Sequence, residues 1–105
     1  MPEHATIGVL LGFELVDELR FPLGEEVLVG RSEESRIFLD APDVSRRHAV
    51  LFLGEREVRV RDLSRNGVQW AGRRLGDEEA VPWGAAIELG GYTLTLGRSG
   101  GAPGA

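Results

Sequence analysis

The sequence predicts an all-β domain, a sandwich of two packed antiparallel sheets, and three observations carry that prediction. Apolar residues come in short runs broken by Gly, Pro, Asp or Asn. No window carries a helical stripe of useful length. Glu57-Val58-Arg59-Val60-Arg61 alternates strictly, placing Val58 and Val60 on one face and Arg59 and Arg61 on the other, as a half-buried antiparallel strand requires.

The expected strands follow in order. Thr6–Leu15 and Leu19–Leu23 open the chain; the competing reading of this stretch is a short helix exposing Glu14, Asp17 and Glu18. Glu26–Gly30 has a continuous apolar centre, Val27-Leu28-Val29, and reads as a buried strand. Ile37–Leu39, His48–Leu53 and Glu57–Asp62 come next, then the shorter Val68–Trp70, Arg73–Leu75, Ala86–Leu89 and Tyr92–Leu96. Gly54-Glu55, Ala71-Gly72 and Gly90-Gly91 are placed as tight turns, because glycine accepts the positive φ of hairpin turns. No internal repeat is visible.

Length and composition narrow the functional classes. The 105 residues suit one domain with a modest core. Residues 1–98 are assigned to that domain, and the Gly/Pro/Ala stretch 99–105, which has little to bury, to a flexible tail. There is no cysteine and only two histidines, His4 and His48, so neither a disulfide framework nor a zinc cage is expected, and no cofactor is implied. No apolar run approaches the roughly 20 residues of a membrane span, and the first residues lack the basic and apolar regions of a signal peptide, so a cytoplasmic location is the default.

The net charge of −5 argues against nucleic-acid binding, but the charge is unevenly placed. Residues 31–74 hold ten Arg against seven acids, a local +3, and the remainder holds two Arg against ten acids, a local −8. All twelve basic residues are Arg, a bias expected first from a GC-rich bacterial genome, although Arg also supplies the planar fork that suits phosphate.

The excess of Arg surrounds three polar islands between apolar runs: Gly30-Arg31-Ser32, Ser45-Arg46-Arg47-His48 and Ser64-Arg65-Asn66-Gly67. Arg31 emerges where a buried strand ends, and its guanidinium has the geometry for two parallel bonds to phosphate oxygens. An ion pair with Glu33 or Glu34 is the plainer reading of Arg31 taken alone. Ser45 and Arg46 follow the loop Asp40 to Val44. His48, which opens a strand without partner ligands, reads as a brace between loop backbones and not as a metal ligand or proton shuttle. Asn66-Gly67 is a turn signal, and the Asn66 carboxamide both donates and accepts, as pairing with an extended peptide requires.

Taken in order and spacing, Gly30-Arg31, Ser45-Arg46-Arg47-His48-Ala49 and Asp62-Leu63-Ser64-Arg65-Asn66-Gly67 closely resemble the forkhead-associated (FHA) domain over about residues 6 to 96. The resemblance implies a sandwich of about eleven short strands whose loops at one end bind a phosphothreonine peptide. It assigns phosphate contacts to Arg31, Ser45 and Arg46, the peptide main chain to Asn66, and further peptide contacts to Arg65 and Asp43. Gly30, His48, Ser64 and Gly67 fall at positions that support the site. The implied partner is a phosphothreonine-bearing protein in Ser/Thr kinase signalling, either a kinase or its substrate, and the domain class carries no catalytic residues.

Some positions depart from the family pattern: Val68 stands where Thr is common, Trp70-Ala71-Gly72 replaces a frequent Val-Asn-Gly turn, and Gly84-Ala85 replaces Gly-Asp. An acid at Asp43 is expected to disfavour an acidic residue three positions after the phosphothreonine. Two other function classes compete with this reading. A scaffold of the same fold that binds without phosphate is the alternative. A hydrolase built from Ser45, His48 and Asp62 is disfavoured, because no nucleophile elbow accompanies the serine.

Overall fold

The computed structural model describes residues 3–99. Among them lie eleven strands and no helix: β1 (His4–Leu11), β2 (Glu14–Pro22), β3 (Glu26–Gly30), β4 (Ile37–Phe38), β5 (Ala49–Leu53), β6 (Glu57–Asp62), β7 (Gln69–Trp70), β8 (Arg73–Arg74), β9 (Glu78–Pro82), β10 (Ala86–Leu89) and β11 (Tyr92–Ser99). They form a six-stranded sheet, ordered β2-β1-β11-β10-β7-β8, and a five-stranded sheet, ordered β4-β3-β5-β6-β9. Ser99, assigned to the tail by composition, ends β11 opposite His4, and the rest of that stretch lies outside the described residues.

Alternation along the strands builds the core. Ala5, Ile7 and Val9 of β1 and Leu94 and Leu96 of β11 meet Val27, Val29, Ala49, Leu51, Leu53, Val58 and Val60 from the other sheet, all essentially without solvent contact. Val58 and Val60 point inward and Arg59 and Arg61 outward, as the sequence predicts. Loop residues Leu39, Val44, Val68 and Leu75 close the same core, which ties the loops at its rim to the burial of the whole sandwich.

Four expectations need correction. Thr6–Leu15 is two strands, because Gly12 (φ 64°) reverses the chain in a two-residue turn with Phe13 and creates the β1–β2 hairpin. The short-helix reading of this stretch falls with it. Second, β9 was not expected: only Val81 of its five residues is fully buried, and Pro82 is tolerated because β9 is an edge strand. Third, the pairing is not antiparallel throughout, since β4 runs parallel to β3 with Ile37 beside Val29 and Phe38 beside Gly30. A two-residue strand at the end of its neighbour needs no long return connection, so a short loop suffices where parallel pairs ordinarily need a dozen residues or more.

The fourth concerns the turns. Ala71 (φ 53°) with Gly72 (φ 79°), and Gly90 (φ 55°) with Gly91 (φ 87°), are left-handed pairs as anticipated. Gly54 is not; its amide instead donates to the Glu57 carbonyl at 3.0 Å, and a Cβ there would lie 2.8 Å from that oxygen. Close approach, not backbone handedness, requires the glycine. Between β8 and β9, Glu79 accepts from the Gly76 amide and forms a forked pair with Arg73. The bond from Arg73 first, then that from Gly76, holds the Glu79 carboxyl down at about 2 from an ordinary 4.5. Its contribution is therefore complete above the ordinary value and is lost only as pH falls toward 2.

Candidate ligand-binding site

The three polar islands lie at one end of the sandwich. Antiparallel pairing puts Val29 near the end of β3, Ala49 at the start of β5 and Asp62 at the end of β6 side by side, so the loops 31–36, 39–48 and 63–68 issue together. Gly30 permits the closest contact between them: a Cβ there would collide with the Arg46 carbonyl. In its absence the Arg31 amide donates to the Ser45 carbonyl at 3.1 Å and the Ser32 amide to the Arg46 carbonyl at 3.0 Å. Gly90 plays a similar part from the other sheet, where a Cβ would run into the Val44 side chain. The β10–β11 turn thereby supports the 39–48 loop from beneath.

His48 is fully buried and both ring nitrogens are engaged by main chain. The Ser45 amide donates to Nδ1 at 3.0 Å, so Nδ1 carries no proton, and Nε2 lies 2.9 Å from the Gly67 carbonyl, to which it donates. His48 thus joins the second island to the third. The third island is braced internally: the Ser64 hydroxyl donates to the Asp62 carboxylate at 2.5 Å and accepts from the Gly67 amide at 2.7 Å. Gly67 (φ 93°) takes the left-handed conformation and Asn66 does not, so Asn66-Gly67 carries the chain from β6 across to β7 in the other sheet and makes no hairpin.

Above this frame lies an open cleft of about 320 Å³ lined by Arg31, Ser45, Arg46, Arg65 and Asn66, with Pro42 and Asp43 on its rim. Arg31 is aimed by an Nε bond to the Val44 carbonyl at 3.0 Å, leaving its terminal nitrogens free of protein partners. Ser45 Oγ accepts from the Arg65 amide at 3.2 Å and retains its own proton for donation. Asn66 Nδ2 donates to the Asp43 carbonyl at 3.0 Å, orienting the carboxamide with its oxygen unengaged.

Electrostatics distinguish this cleft from the rest of the surface. Arg36, Arg59, Arg61, Arg73, Arg74 and Arg98 each pair with a carboxylate. Among the described residues, Arg20, Arg31, Arg46, Arg47, Arg56 and Arg65 do not, and three of these six, Arg31, Arg46 and Arg65, share the cleft, Glu33 and Glu34 being near Arg31 only in sequence. Three unneutralised guanidiniums on one small concavity repel one another, a cost that an anionic ligand would relieve. The FHA family model matches residues 27–90, more than half of the sequence and all three islands. The chain belongs to the FHA family.

Solved structures agree. The FHA domain of the CT664 protein from Chlamydia trachomatis superposes with a TM-score of 0.81 at 26% identity, over 90% of this chain and 96% of that one. An FHA domain studied for its phosphothreonine-dependent interactions gives 0.76 at 22% identity, over 90% and 95%. Mycobacterium tuberculosis EmbR, solved with a low-affinity phosphopeptide, gives 0.77 at 24% identity over 96% of this chain and 26% of that one. The last two likenesses show a shared fold. No curated protein gave a significant match.

Within this FHA domain the residues given contact or supporting roles from the sequence fall on the cleft or directly beneath it. Arg31, Ser45, Arg46, Arg65, Asn66 and Asp43 line it or form its rim, and Gly30, His48, Ser64 and Gly67 support it. Arg47 belongs elsewhere, to a hollow on the outer face of the five-stranded sheet with Phe52 and Leu63. Val68, at a position where the family often has Thr, is wholly buried and contributes no side chain to the cleft. Ser45, His48 and Asp62 make no triad: His48 is spent on main chain and Asp62 on Ser64. Sequence reasoning missed the bracing carboxylate of Asp62, whose signal was its place two residues before Ser64. It also missed Gly90, whose contact with Val44 spans half the chain and leaves no local signature.

Proposed function

We propose that this FHA domain recognises phosphothreonine in a partner protein and so makes protein association depend on a Ser/Thr kinase. The observation that carries this reading is the convergence of Arg31, Arg46 and the Ser45 hydroxyl on one cleft without neutralising carboxylates. A phosphate ester brings about −1.5 to −2 charges and three acceptor oxygens to that donor set. The Arg31 fork and Ser45 proton take the phosphate, Arg46 adds a second guanidinium, and the Asn66 carboxamide beside them pairs with peptide main chain. Arg65 contributes charge at the edge, and Asp43 on the rim disfavours an acidic side chain beside it. The phosphopeptide complex of EmbR, which shares the fold, is consistent with this use of the loops.

Residues 1–98 serve in this reading as the binding module. Calorimetry with a phosphothreonine peptide pool and its unphosphorylated counterpart tests it. Binding of the phosphorylated pool alone is expected, with Arg31→Ala weakening it by about 2–5 kcal/mol, the order for removing one partner of a desolvated charge pair. Equal affinity for both pools would leave the domain as a phosphate-independent scaffold.

A further inference from the structure

Exposed apolar surface is concentrated outside the cationic cleft, on one hairpin. Of the seven large hydrophobic residues exposed among the described residues, four, Leu11, Phe13, Leu15 and Val16, lie on the β1–β2 hairpin. Phe13 is fully exposed at the second position of a turn whose conformation Gly12 sets. Folding gains nothing from an aromatic ring there, and exposed apolar side chains grouped on one hairpin suit a contact surface.

The hairpin tip stands at the same end of the molecule as the cleft. Leu11 is in register with Tyr92, which follows the Gly90-Gly91 turn that packs on Val44. Between tip and cleft runs a trough that shares Asn66 with the cleft and continues over Gln69, Glu88 and Thr93. Cross-strand register extends this row without a break: Gln69 faces Glu88, Glu88 faces Thr93, Thr93 faces Leu10, and Leu10 faces Leu15. Charge changes sign along it, from the arginines of the cleft to Glu88 in the trough and to Glu14, Asp17 and Glu18 beside the tip.

We propose that the hairpin tip is a second anchor for the phosphorylated partner. An extended continuation of the phosphothreonine segment lies in the trough and sets a bulky aliphatic or aromatic residue, flanked by Lys or Arg, against Phe13, Leu15 and Val16. This rests on the phosphothreonine reading above and adds to it the chemistry of the partner's distal residues. From β7 to β2 there are four interstrand steps of about 4.8 Å, so an extended segment needs about six residues to cross. The apolar residue therefore falls about five to eight positions from the phosphothreonine, on one side only.

Two phosphothreonine peptide libraries distinguish the possibilities, one randomised over about three residues on each side and one over about ten. Each is selected on the full chain, on Arg31→Ala, on Phe13→Ser and on the Phe13→Ser/Leu15→Ser pair. The longer library should enrich Leu, Ile, Val or Phe with basic neighbours at the stated distance. Both tip variants should lose that enrichment and bind the selected long peptides about tenfold more weakly, while binding the short library as the unmodified chain does. Phe13→Ser removes a side chain that touches nothing, so the fold is retained. Short-library binding with no distal enrichment, or with enrichment that survives both variants, would overturn the second anchor alone. Failure of both libraries would bring down the phosphothreonine reading and the anchor with it. A concentration-dependent dimer of the unliganded chain, abolished by Phe13→Ser, would assign the tip to a second copy and overturn the proposal.

Discussion

His48 accepts from the Ser45 amide and donates to the Gly67 carbonyl, and truncation removes both bonds from a site with no access to water. His48→Ala leaves two unpaired main-chain groups and a cavity, and chemical denaturation should show a loss of about 2–4 kcal/mol. The sequence identified His48 as a brace on chemical grounds, since a histidine without partner ligands has little else to do at the mouth of a strand. It also singled out Arg31, Ser45, Arg46 and Asn66, not by residue type, which for Arg31 alone favours an ion pair, but by the order and spacing of the three islands. Their partners were not legible. The bond from Asn66 to the Asp43 carbonyl and that from the Arg65 amide to Ser45 join residues twenty or more positions apart, and only the folded chain sets those distances.

At the scale of elements, the clearest strain lies in the β7–β8 turn, where Ala71 occupies the left-handed region at φ 53°. A Cβ there costs about 1–2 kcal/mol, partly offset by the lower chain entropy of alanine relative to glycine. Ala71→Gly should therefore raise stability by about 0.5–1 kcal/mol, readable as a shift in the denaturation midpoint without a change in slope. Strands with regular alternation or a continuous apolar centre, such as β6 and β3, were legible because burial dictates their pattern. β9 was not, because an edge strand buries a single residue of five and its composition is that of a loop. The β1–β2 turn was hidden for the opposite reason: Leu11 and Phe13 flank Gly12, and apolar flanks read as strand although both side chains are exposed.

For the whole molecule, pairing decides where charge is available. A net −5 chain would be a poor ligand for a phosphorylated partner if its charge were evenly spread. Six arginines outside the cleft are instead paired with carboxylates, while those of the cleft are held on loops that Gly30, Gly90 and His48 fasten to a closed apolar core. The uneven distribution was legible as a count along the sequence; which arginines remain free was not, because Glu33 and Glu34 neighbour Arg31 only in sequence. The central claim is that a phosphate seats on Arg31, Ser45 and Arg46 with peptide across Asn66. A 15N chemical-shift titration with a phosphothreonine peptide tests it most directly. The largest shifts are expected in the amides of Arg31, Ser45, Arg46 and Asn66, with the unphosphorylated peptide leaving them in place. Shifts centred instead on the outer face of the five-stranded sheet around Phe52 and Arg59, or equal shifts from both peptides, would contradict it.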